Sequence, residues 1–197
     1  MPPAGSELPA VADVLDALRR AAGDAAPAGA SGAESLPARP DRPGEELVAL
    51  AVELLRSNRK QWDLEDVTRR PDADDSVVAD SKRAIDALNM ARHGLVERID
   101  AVVDARIPQQ PTAPPATEGP GMVLDRLSVL VIRLERTRSA PAVSDRLPVL
   151  QHQIDLLGSA LEVLLADVRS GARRFEPYRH LKLYEGKSAP GPGTRHG

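Results

Sequence analysis

The chain predicts an all-α fold, an antiparallel bundle of four long helices in two hairpins with disordered termini. Three observations lead there. Apolar residues recur at alternating three- and four-residue steps through four separate segments, the period of a helix face. Proline-rich stretches fall between those segments rather than inside them. No stretch alternates apolar and polar residues as a half-buried strand would.

Residues 1–44 read as a flexible leader, rich in Ala, Pro and Gly and holding seven prolines. Within it Val11, Val14, Leu15 and Leu18 fall at helical spacing, so a short amphipathic helix is expected near 10–22. A bundle domain is expected over 45–185. Its first long helix runs from Glu45 to Arg70, with Glu45 and Glu46 suited to the positive end of the helix dipole and Pro71 as its stop. Leu47, Ala51, Leu54, Asn58, Trp62, Glu65 and Arg69 share one stripe of that helix. The stripe begins oily and ends polar.

The second helix, capped by Asp74 or Asp75, extends to about Arg106. Val78, Ser81, Ile85, Leu88, Arg92, Leu95, Ile99 and Val102 form a coiled-coil-like seam along it, with Arg92 in the middle. Residues 107–121, with five prolines, read as a stiff, extended linker rather than a packed segment. A third helix follows from about Met122 to Arg138, apolar at Leu124, Leu127, Val131 and Leu134. The fourth starts near Asp145 and carries the most regular seam: Leu147, Leu150, Ile154, Leu157, Leu161, Leu164 and Val168. Gly171 is its expected C-terminal cap, and 186–197 read as a disordered tail. Burying roughly twenty-five seam side chains at about 1.5–3 kcal/mol each is enough to offset the ordering entropy.

Composition excludes several functions. The absence of cysteine rules out disulfides and thiolate chemistry. A net charge of −3 argues against nucleic acid as a partner. No run is long and apolar enough for a membrane helix, and no secretory signal opens the chain. A cytoplasmic location is the expectation. Glycine-rich phosphate loops, hydrolase triads and dinucleotide fingerprints are absent, so no cofactor is implied. None of His93, His152, His180 and His196 follows a glutamate at three residues, so the chain lacks the pairs a di-iron carboxylate bundle requires, and no metal is expected. His93 and His152 read as solvent-facing.

The candidate chemistry lies in polar residues on inward stripes. Asn58, Trp62, Arg69, Asn89 and Arg92 would form a polar pocket between the helices, extended by Asp125 and Arg126. A buried charge must pair or hold a ligand. Arginines there would grip a carboxylate or phosphate, and Glu65 or Asp66 would be available for proton transfer. The alternative is that these groups turn outward as surface ion pairs.

A second feature is the aromatic content of 2 %. Apart from Trp62, all rings lie at Phe175, Tyr178 and Tyr184, interleaved with Arg173, Arg174, Arg179, His180 and Lys182. Two readings of this arm stand side by side. In one it is a strap across the bundle facing Asp63, Glu65 or Asp66; in the other Tyr178, Arg179, Lys182 and Tyr184 close over a bound anion.

Several motifs also match a known pattern. Asn58, Trp62-x-Leu64-Glu65-Asp66-x-x-Arg69, Lys82-x-x-Ile85-Asp86-x-Leu88-Asn89-x-x-Arg92 and Glu97-x-Ile99-Asp100 come first. Asp125-Arg126-Leu127-Ser128 and Arg174-Phe175-x-x-Tyr178-Arg179-x-x-Lys182-x-Tyr184 follow in order. Over about 45–185 the chain resembles the uncharacterised bacterial family called domain of unknown function 4254. The resemblance implies a helical fold and a shared polar site, and no activity. The family pattern has Tyr-His-Met where this chain has Leu134-Glu135-Arg136, and Asn-Asp where it has Glu185-Gly186. A histidine used by the family there would be lost here. Ile85-Asp86-Ala87-Leu88-Asn89 is also similar to the first helix of helical chorismate mutases, but over that helix alone.

Two functions fit. One is a site for a small anionic metabolite held by Arg69, Arg92 and Arg126. The other is a non-catalytic interaction domain, either a homo-oligomer joined through its heptad seams or an acceptor of another protein.

Overall fold

A computed structural model describes residues 8–23 and 43–178, apart from the side chains of Pro43 and Pro141. The tail and most of the leader lie outside them. Five α-helices make up the described chain: α1 (Val11–Gly23), α2 (Pro43–Thr68), α3 (Asp75–Arg106), α4 (Pro120–Arg138) and α5 (Leu147–Ser170). The all-α bundle of four long helices is therefore the fold, with one short helix added.

The boundaries follow local chemistry. Asp74 caps α3, its side chain accepting from the Ser76 amide at 2.8 Å. Gly171 closes α5 in the left-handed conformation at φ 76°, which glycine adopts without a Cβ penalty. The fourth long helix starts slightly late. Asp145 lies instead in a 3-10 segment, Pro141–Arg146, whose Val143 is non-helical at φ −127°.

Asn58 on α2 meets Asp125 and Ser128 on α4, while Asp66 of α2 meets Arg136 of α4. The two helices therefore run parallel, and α3 and α5 return antiparallel to them. Helix α4 is the central rod, packed by α1, α2, α3 and α5. By contrast, α5 leans on α4 and α1 and makes no extended contact with α2 or α3. The ring of helices around α4 is thus closed by α1 on one side and open between α3 and α5.

Leu124, Leu127, Val131 and Leu134 of α4 are all buried, as the stripe predicts. On α5 the core face is Ile154, Gly158, Leu161, Leu165 and Val168. That face is rotated from the seam read in the sequence, and it leaves Leu157 and Leu164 only partly covered. The short leader helix belongs to the core: Val11, Val14, Leu15 and Leu18 are buried.

Residues 107–119 are not the detached linker the prolines suggest. Ile107 and Ala113 are buried, and the arm pairs with this segment. Ala116 N donates to Arg174 O at 2.6 Å and Arg174 N to Pro114 O at 3.1 Å. Proline removes only its own donor, so the neighbouring amides and carbonyls stay free to pair. No helix of the described residues is long and apolar enough to cross a membrane.

Candidate functional site

An ionic clasp joins the three helices α2, α3 and α4. Asp125 is buried, and Arg92 grips it with two bonds, Nε to Oδ1 at 2.9 Å and Nη2 to Oδ2 at 2.6 Å. Asn58 adds a donor to Oδ1 at 2.9 Å and also donates to Ser128 Oγ at 2.7 Å. Ser128 Oγ donates in turn to the Asp125 carbonyl at 2.7 Å. The bidentate bond to Asp125 raises the pKa of Arg92 more than burial lowers it. Asp125 oxygens are thus engaged, and the pair is formally neutral.

The clasp forms the inner end of a groove that fills the gap between α3 and α5. This groove, about 620 Å³, is lined by Arg92, Asp125, Arg126, Val129, Leu130 and Arg133, with Gln153, Leu156, Leu157 and Ala160 of α5 as its far wall. Arg133 sits with Cζ 5.9 Å from the Trp62 ring centroid, and Arg136 lies 5.3 Å from the same ring. Arg133 has no ion-pair partner among the described residues. The groove is apolar along its walls and cationic at its lip.

The predicted polar pocket divides into separate groups. Asn58 and Arg92 come together in the clasp. Glu65 and Arg69 do not: they pair with each other at 2.6 Å on the outside, where the Arg69 side chain is 65 % exposed. The Arg136–Asp66 contact puts this stretch of α2 level with the last turn of α4, so α4 ends there and does not extend over Glu65 and Arg69. Asp66 is spent on Arg136 and Arg69. Neither Glu65 nor Asp66 lines the groove. Asn89 accepts from Gln61 at 2.8 Å, apart from the clasp. Arg126 edges the groove but pairs with Glu118 on the surface. It adjoins Asp125, and neighbours on a helix point about 100° apart. Only one of them can face inward.

The arm acts as a strap over 172–178. The Phe175 ring is buried, and its amide donates to Gln109 Oε1 at 2.6 Å. The Tyr178 ring lies 5.5 Å from His93, which is thus half-covered rather than solvent-facing. Asp63 and Asp66, the expected counterparts of the arm, are paired with Arg136 instead. Arg179, His180, Lys182 and Tyr184 lie outside the described residues.

Sequence reasoning assigned no role to Asp100, which is fully buried. It accepts the Gly121 amide at 2.8 Å and the Tyr178 amide at 2.9 Å. The N-terminus of α4 has no side-chain cap of its own, so this carboxylate from α3 caps it across the interface. The approach is close: a Cβ on Gly121 would come 2.5 Å from Val96 O, and one on Gly119 would come 2.8 Å from Asp100 Oδ2. Its only signal was the Glu97-x-Ile99-Asp100 motif.

The fold and clasp define an all-α bundle protein with a partly buried ionic pair between its rods and a groove beside it. The chain belongs to a protein family of unknown function, DUF4254, whose model matches residues 48–176. No curated protein and no solved structure gives a significant match.

Proposed function

We propose that the chain binds a small amphipathic anion in the groove between α3 and α5. The observation that carries this reading is Arg133, a guanidinium without an ion-pair partner among the described residues, at the lip of an apolar cavity. Val129, Leu130, Leu157 and Ala160 suit an alkyl or aryl body, and Arg133 with Arg126 suits a carboxylate, sulfonate or phosphate head. Arg92 is held by Asp125 and serves as a fixed inner wall. Proton transfer is not part of the reading, because Glu65 and Asp66 are engaged away from the groove. A second reading, a non-catalytic interaction domain, is favoured by the apolar outer face of α5.

Anilinonaphthalene sulfonate, an aryl body with one negative charge, tests the proposal. Its fluorescence should titrate to saturation on the folded protein and be displaced by decanoate but not by decyltrimethylammonium. Arg133→Ala should weaken binding about tenfold, the loss of one bond to a charged group. Equal affinity in wild type, Arg133→Ala and the groove-filling Leu157→Trp would refute it.

A further inference from the structure

Helix α4 carries Arg126, Arg133, Arg136 and Arg138, and all but one of them pair with a carboxylate among the described residues. Arg126 pairs with Glu118, Arg136 with Asp63 and Asp66, and Arg138 with Glu135. Arg133 meets the Trp62 ring instead, its Cζ 5.9 Å from the centroid. The register of the two helices explains the difference. Helices α2 and α4 run parallel, with Asp66 beside Arg136. One turn back from that contact on both rods, Trp62 rather than an acid stands level with Arg133. An aromatic face attracts a guanidinium without cancelling its charge. A carboxylate at that point would cancel it.

We infer that Trp62 is a positioning residue for anion binding: it holds Arg133 as the groove's one uncompensated cation, set for a ligand head that bears a single negative charge. The inference rests on the groove reading above and narrows it to monoanions, carboxylates and sulfonates before phosphate monoesters. Trp62 does not itself line the groove, so it acts through Arg133. Among the lining residues Arg92 and Asp125 cancel, Arg126 is matched by Glu118, and Arg133 is left over. An arginine side chain is long and loses rotamer freedom when it binds, so one already lodged against a ring has less to lose. A second charge on the ligand would find the other lining guanidinium groups already matched, and would leave water for little return.

Titrations of the full chain with anilinonaphthalene sulfonate and with N-phenylnaphthylamine, the same aryl body without the sulfonate, test this. Trp62→Leu should weaken sulfonate binding about threefold, the loss of an exposed cation–π contact, while the neutral probe holds its affinity. Trp62→Phe keeps a ring and should fall between wild type and Trp62→Leu, which separates the ring's role from a folding defect. In Arg133→Ala the ring has nothing to hold, so adding Trp62→Leu should weaken binding no further. Decane sulfonate should displace the probe at least as well as decyl phosphate at about pH 8.5, where the phosphate carries nearly two charges. Saturable wild-type binding with equal affinity in Trp62→Leu, a double variant that shows both losses in full, equal loss of the two probes, or a clear advantage for the phosphate would each overturn this inference alone. No saturable binding by wild type would overturn the groove reading and this inference with it.

Discussion

Two aspartates are buried at α4, Asp125 on the helix itself and Asp100 of α3 against its start, and they are held by opposite means. Asp125 is matched by a guanidinium and an amide: Arg92 bonds both its oxygens, and Asn58 adds a third contact. Asp100 has no cation bonded to it among the described residues, only the backbone amides of Gly121 and Tyr178. The first ties three helices through side chains. The second ties the start of a helix and the arm through main chain. A charge matched by a charge is costly to break from either side, whereas one matched by amides depends on how closely the backbone can approach.

The sharpest way to break this comparison is Asp125→Ala. It removes the carboxylate that Arg92 grips and leaves Asn58 with Ser128 Oγ alone, and a broken buried pair costs about 3–5 kcal/mol. The lower figure is expected, because the Arg92 side chain is 28 % exposed and can reach water. Denaturant unfolding measures it, and a cost below that of Asp100→Asn would invert the ranking.

Asp100→Asn comes next, at about 1–3 kcal/mol, since its NH₂ group must face one of two amide donors. It also sharpens the contrast through pH. Burial raises the Asp100 pKa, outweighing the bonds from Gly121 and Tyr178 that lower it. An acid with a raised folded pKa contributes stability that is fully present below its unfolded value. That contribution is lost as pH rises through the folded value. The advantage of wild type over Asp100→Asn should therefore be largest in acid and shrink as pH rises, as read from paired unfolding curves. An advantage that grows with pH would mean that the amides, not burial, dominate.

The smallest effect is expected at Arg69→Ala. An exposed pair of this kind contributes within about 0.5 kcal/mol, so the thermal midpoint should hardly move.

The same contrast explains what could be read in advance. Arg92 stood out because a cation in the middle of an apolar seam needs a partner, and the helix stripes limited where that partner could be. Asp100 gave no such sign, since its partners are main-chain groups and every residue carries those. Glu65 and Arg69 continue the stripe of α2 faithfully and still face water, because periodicity does not tell where the neighbouring rod stops. Helix α1 was legible as a helix from Val11, Val14, Leu15 and Leu18, but its docking against α2, α4 and α5 depends on contacts far along the chain.

That docking bears on how the protein can be trimmed. The family-matched stretch, 48–176, leaves α1 out and ends before Tyr178. A fragment cut at those limits would lose the side chains of Val14, Leu15 and Leu18 from the hollow they fill, baring oily surface on three rods at once. It would also strip Asp100 of one of its two donors. Stickiness in such a fragment would belong to the cut, not to the native chain.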